Sequence, residues 1–187
     1  MSRALVLLAP GCEEMEAVIS IDVLRRGGVE VVAVGLTGDT LVASRDVKLV
    51  PDIALDDCLD AKEFDLLVLP GGLPGTEALR DDPRVCDLVL YYQQAPRKTL
   101  AAICAAALVL DKAGVLEGKN FTCYPAVRES ISQGNWKDEN VVIDGSLITS
   151  QGPGTAIEFA LTLVEVLTNK ETRDEVADGL LFRSAAY

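Results

Sequence analysis

Four short runs of branched and leucine-rich residues recur along the chain, with helical patterns between them: ALVLLA (Ala4 to Ala9), VEVVAVGL (Val29 to Leu36), DLLVLP (Asp65 to Pro70) and TLAAIC (Thr99 to Cys104). Each run is almost continuously apolar rather than alternating, which predicts strands buried on both faces of a parallel sheet. LVASRDVKLVPD, Leu41 to Asp52, partly alternates and predicts a hairpin or edge excursion outside the main parallel set. Further on, the pattern predicts a helix over about 105–113, short strands near 120–123 and 147–150, and helices over about 155–167 and 172–181. Glycines and prolines fall between these elements, and no repeat, low-complexity tract or linker breaks the series. The expected architecture is α/β, one domain over residues 1–187, with a doubly wound, mostly parallel sheet sandwiched by helices. In such sheets ligands bind beyond the carboxyl ends of the strands where the winding reverses, so the strand-to-helix turns are the places to search.

A chain of 187 residues buries roughly 70% of its unfolded surface and needs no metal or disulfide staple. Its formal charge of -12 and pI of about 4.4, without any basic patch, argue against nucleic acid and anionic membranes as partners. The first apolar run is too short for a signal-peptide core with its cleavage site, and no run approaches a membrane span. Five cysteines without a CxxC spacing predict free thiols in a reducing compartment. The absence of histidine restricts the chemistry most, because imidazole triads and nearly all zinc sites need it. No metal or other cofactor is expected.

Cys104 is the strongest candidate nucleophile. It ends an apolar strand and is followed by Ala105, Ala106 and Ala107, the strand-nucleophile-helix order of an elbow. The positive end of the following helix predicts a thiol pKa below the roughly 8.5 of a free cysteine, and with it both nucleophilicity and sensitivity to peroxide. Glu16 lies in the helical segment EEMEAVISIDVLRR, where steps of three and seven place it on an apolar face with Ile19 and Val23. A carboxyl group there is desolvated and its pKa raised, which suits a protonated donor to a neighbouring thiolate. Glu13 and Glu14 fall in the first turn and are expected to be solvated charges, while Asp22 and Arg26 have the spacing of a helix-surface pair. Gly71 and Gly72 follow the third strand and can present bare N–H groups to an oxyanion, together with the N–H of Ala105. Arg45 in the Leu41–Asp52 excursion and Pro153 in the turn SQGPGT are candidates for lining the same cleft.

The elbow AAICAA, the segment EEMEAV, the turn LPGG, the tetrapeptide SRDV at Ser44 to Val47 and the stretch SQGPGTAIEFAL together resemble the ThiJ/PfpI superfamily, and more narrowly its eukaryotic parkinsonism-associated deglycase branch. The likeness runs from about residue 4 to residue 167. It implies a flavodoxin-like sandwich, a homodimer, and a cytoplasmic protein with nuclear and mitochondrial pools. It further implies Cys104 as nucleophile and oxidation-sensitive thiol, Glu16 as its protonated partner, and Gly71, Gly72 and Ala105 as backbone donors. The activities implied are glutathione-independent conversion of methylglyoxal to lactate, deglycation of early protein thiol or amine adducts, peroxide sensing through a cysteine sulfinate, and redox-dependent chaperoning. Relatives carry a histidine at the place of Tyr124. Its absence here argues against protease and amidotransferase mechanisms, because a phenol is no base near neutrality, and leaves Tyr124 as a potential hydrogen-bond donor. Leu73 also replaces a residue that is often polar. Cys12, in the turn before the Glu16 helix, is a candidate resolving thiol.

Overall fold

The computed structural model describes residues 1–58 and 60–183. The chain runs through β1 (Arg3–Leu8), α1 (Glu14–Arg26) and β2 (Glu30–Gly35), then the two-residue strands β3 (Leu41–Val42), β4 (Lys48–Leu49) and β5 (Ile53–Ala54). There follow β6 (Leu66–Leu69), α2 (Leu73–Asp81), α3 (Pro83–Gln94), β7 (Thr99–Ile103) and α4 (Ala107–Lys112). The last third holds β8 (Asn120–Phe121), β9 (Asn135–Trp136), β10 (Val141–Asp144), β11 (Leu147–Ser150), α5 (Ala156–Leu167) and α6 (Lys170–Gly179).

Seven of these strands form one sheet in the order β10-β11-β7-β6-β1-β2-β5, parallel throughout except for β10, which pairs antiparallel with β11. From β1 the chain winds outward through β2 to β5, then returns to the other side of β1 and winds through β6 and β7 to β11. The reversal therefore falls between β1 and β6, where connections leave in opposite directions and open a crevice.

The sheet is apolar on both faces because successive side chains alternate. Ala4, Val6 and Leu8 of β1 pack with Ala17, Val23 and Leu24 of α1 and Phe159, Leu163 and Val164 of α5. Leu5 and Leu7 point the other way, into a cluster with Val85, Leu88 and Tyr92 of α3 and Val109 and Leu110 of α4. This is the mostly parallel, helix-covered sheet expected from the continuous apolar runs. The Leu41–Asp52 excursion also lies where expected, as the β3–β4 antiparallel pair outside the main sheet.

Three local features differ from the sequence reading. The segment after Cys104 starts as a 3-10 turn over Cys104–Ala106, and the α-helix proper is only Ala107–Lys112. The strand expected near 120–123 is two residues long and pairs with β9, apart from the main sheet. The edge strand β10 went unforeseen, because Val141–Asp144 has one buried residue, Val142, and reads as turn-flanking sequence. Among the described residues no helix is long and apolar enough to cross a membrane.

Candidate active site

Three loops meet beyond the carboxyl ends of β1, β6 and β7, and backbone bonds join them. The N–H of Glu13 donates to the carbonyl of Gly71 at 2.9 Å, and that of Tyr124 to the carbonyl of Cys104 at 3.2 Å. Cys104 sits at the sharpest point, with φ of 65°. A non-glycine residue in this left-handed region carries strain of order 1–3 kcal/mol that only a well-braced surrounding maintains. The conformation turns the thiol out of the strand and toward α1, as an elbow requires.

Gly71 makes that approach feasible. A methyl group at its α-carbon would lie 2.6 Å from Cys104 Cβ, 2.8 Å from Glu16 Oε2 and 3.0 Å from the N atom of Ala105. Three of the sequence candidates therefore surround a position that only glycine fits. Gly72, with φ of 84°, directs the chain into α2.

Glu16 is wholly buried. Its Oε2 accepts the N–H of Gly71 at 2.7 Å, its buried Oε1 has no hydrogen-bond partner among the described residues, and the Cys104 thiol lies close enough to lower its pKa. Desolvation, opposed by the Gly71 N–H and the thiol, raises the Glu16 pKa to about 7. The helical spacing that placed Glu16 on an apolar face was sound: Val23 is buried and Ile19 packs against the same core.

The thiol does not follow the expectation of a low pKa. Burial first, and then the charge and hydrogen bond of Glu16, push Cys104 up to about 12, against the N–H groups of Ala105 and Gly72. The six-residue α4 behind a 3-10 turn offers less dipole than a long helix, and the sequence argument left out desolvation. Because thiol and carboxyl interact as a pair, the carboxyl loses its proton first and its charge then holds the proton on sulfur.

Cys104 opens onto a cavity of about 450 Å³ that Glu13, Ser44, Arg45, Tyr124 and Pro153 also line, together with Gly72, Leu73 and Ala105. The structure thus brings Cys104, Gly72, Ala105, Arg45, Tyr124 and Pro153 together around one cavity, with Gly71 and Glu16 directly behind the Cys104 thiol. Three further assignments are corrected. Gly71, expected to offer its N–H to an oxyanion, donates it to Glu16 Oε2 instead. Glu13, expected to be a solvated charge, is half-buried and caps α1, its Oε2 accepting the N–H of Glu16 at 2.8 Å. Glu14, also expected in solvent, is covered by the β3–β4 hairpin. It accepts the Ser44 hydroxyl at 2.8 Å and the Arg45 N–H at 2.9 Å. Burial raises its pKa, but its own backbone N–H and those two donors outweigh burial and hold it below the usual carboxylate range. Ser44 was overlooked as a wall residue, although it begins the SRDV motif. The only local sign for Glu13 was a side-chain acceptor three residues before Glu16, the spacing of a helix cap.

All five cysteines are free thiols. Cys12 is fully buried and burial pushes its thiol up to about 11, which disfavours it as a resolving partner for Cys104. Asp22 and Arg26 form the expected surface pair at 2.6 Å.

Residues 2–166 match the DJ-1/PfpI family. The chain is 50% identical to Protein dj-1beta of Drosophila melanogaster over 95% of its own length and 96% of the relative's. The crystal structure of Drosophila melanogaster DJ-1beta superposes with a TM-score of 0.92 at 47% identity, covering 98% of this chain and all of that one. A glutathione-independent glyoxalase of Caenorhabditis elegans, DJR-1.2, is 40% identical over 95% of both chains. With residues 2–166 matched and the braced cysteine elbow beside the winding reversal, this chain belongs to the DJ-1/PfpI family.

Proposed function

We propose that the protein converts small α-oxoaldehydes such as methylglyoxal to 2-hydroxy acids without glutathione. The observation that carries this reading is the coupled pair of Cys104 and Glu16 at the edge of the cavity. A thiol and a buried carboxyl group titrating near neutrality crowd the same face of Gly71, with backbone N–H groups beside them. The glyoxalase named among the relatives supports the same chemistry.

The Glu16 carboxylate takes the Cys104 thiol proton as sulfur attacks the aldehyde carbon, and then delivers that proton to the aldehyde oxygen, giving a hemithioacetal. The N–H groups of Gly72 and Ala105 stabilise the developing oxyanion. Glu16, now a carboxylate, removes the hydrogen from the former aldehyde carbon and returns it to the adjacent ketone carbon. The hydroxyl proton moves from the first oxygen to the second, leaving a lactoyl thioester. Water cleaves the thioester to lactate and regenerates the thiol. A carboxyl group with its pKa near 7 serves both directions of proton transfer. The same attack on early adducts of protein thiols or amines constitutes deglycation.

The test is lactate formation from methylglyoxal with neither glutathione nor metal added. The unmodified protein forms lactate and Cys104→Ser does not; equal formation by both would refute the reading.

A second reading rests on access. Cys104 faces the cavity beside Glu16, while Cys12, Cys58 and Cys123 are buried away from it and Cys86, though half-buried, lies on another face. Peroxide transfers one oxygen to the thiolate to give sulfenate and water, and a second equivalent gives sulfinate. Intact-mass titration shows two successive oxygen additions on Cys104 if this holds; oxidation scattered over all five cysteines would count against it. The homodimer implied by the family has a suitable face. Met15 and Val18 lie one turn apart on α1, and Val42 and Val47 lie on the hairpin bonded to its N-terminal loop. All four are 45–53% exposed.

A further inference from the structure

The cleft holds a polar side chain for which neither the proton transfers nor the architecture has a use. We infer that Tyr124 is a catalytic residue: its phenol donates a hydrogen bond to the ketone oxygen of the α-oxoaldehyde bound at Cys104. The inference rests on the glyoxalase reading.

Five polar side chains line the cavity: Glu13, Ser44, Arg45, Cys104 and Tyr124. Cys104 is the nucleophile. Glu13 Oε2 is occupied by the N–H of Glu16, and the Ser44 hydroxyl donates to Glu14. Arg45 is held through its backbone N–H on Glu14 and by an Nη1 bond to the Ser44 carbonyl at 3.0 Å. The Tyr124 hydroxyl has no hydrogen-bond partner among the described residues, which makes it the one neutral donor left for a substrate.

Its placement is built, not incidental. The Tyr124 N–H is bonded to the Cys104 carbonyl, so the residue is fixed to the nucleophile's own backbone. Two residues back, the N–H of Thr122 donates to the Thr149 hydroxyl at 2.9 Å, tying this segment to β11. The ring rests against Gly152, where an added methyl would lie 3.3 Å from Cδ2 and 3.8 Å from Cε2. Gly152 is extended, with φ of 168°, so its backbone makes no demand for glycine. What the absence of a side chain supplies is room for the ring.

The chemistry needs such a donor. When Glu16 takes the hydrogen from the former aldehyde carbon, the freed electron pair forms the carbon-carbon double bond of an enediolate, and the ketone π pair moves onto the ketone oxygen. Cys104 and the N–H groups of Gly72 and Ala105 attend to the first carbon and its oxygen, so the second oxygen needs a partner from elsewhere. Tyr124 keeps its proton throughout and shares it most strongly when that oxygen is charged, which is the differential binding that lowers a barrier.

The experiment compares lactate formation by the unmodified full-length protein, Tyr124→Phe, Tyr124→His and Arg45→Met. Tyr124→Phe retains the ring against Gly152 and removes only the hydroxyl. We expect kcat to fall roughly 10- to 100-fold with KM changed less than about threefold, an unchanged shape of the pH profile, and partial recovery in Tyr124→His. A purely structural ring would leave Tyr124→Phe unaffected. Activity of Tyr124→Phe within twofold of the unmodified protein overturns the inference, as does a loss that follows Arg45→Met and not Tyr124→Phe. Absence of lactate with the unmodified protein removes the glyoxalase reading and this inference together; an active protein indifferent to Tyr124→Phe removes this inference alone.

Discussion

Glu14 and Glu16 stand two residues apart in the first turn of α1, both out of solvent, and the protein drives their acidities in opposite directions. Glu14 meets two donors from the hairpin besides the helix backbone and is held as a carboxylate. Glu16 meets one backbone donor and a thiol in a drier place, and its pKa climbs to about 7. Deeper burial and fewer donors together separate Glu16 from Glu14, a carboxylate that fastens two segments.

The sharpest test of this contrast is Glu16→Gln, which retains shape and a donor but cannot exchange a proton. Lactate formation is expected to fall by roughly 10²- to 10⁴-fold in kcat, and unchanged turnover would sink the assignment of Glu16.

Next in size is the dependence of stability on pH. A carboxyl group whose folded pKa is raised binds more protons folded than unfolded, so its contribution is present below the ordinary 4.5 and lost as pH rises through about 7. Between those values Glu16 should account for a decline on the order of 3 kcal/mol, and Glu16→Gln should flatten it in denaturant titrations. Glu14 has the opposite sign: its contribution is present above the ordinary value and is lost as pH falls through its lowered folded pKa.

Glu14→Ala leaves the Ser44 hydroxyl and the Arg45 N–H without their acceptor and should cost about 1–3 kcal/mol, measured as a shift in the denaturation midpoint. Turnover should be lowered far less than in Glu16→Gln; losses of equal size would erase the distinction between the two acids. The smallest effect is expected at Asp22→Asn, where an exposed pair is broken at about 0.3–0.5 kcal/mol.

The sequence carried the parts of this site that depend on neighbours along the chain. A helical step of three and seven was enough to bury Glu16, and an apolar strand running into three alanines was enough to place the Cys104 elbow. The role of Glu14 was hidden because its donors lie some thirty residues later, in a hairpin whose docking no local pattern announces. The thiol's acidity was misjudged for a related reason. A helix end can be read from sequence, whereas the desolvation that outweighs it comes from α1 and the β6 loop packing over the sulfur. In the fold, the fully buried strands were conspicuous and the edge was not, since β10 shows only Val142 to the core.

The cavity walls come from Glu13 at one end of the chain to Pro153 at the other. During synthesis at roughly 5–20 residues per second, that span takes on the order of ten seconds to appear. The cysteine is therefore made well before the turn that closes the cavity over it, and a nascent or truncated chain exposes an ordinary thiol. On the proposed glyoxalase reading, turnover is a late property of the whole chain, so the appearance of lactate would also report that the cavity has closed.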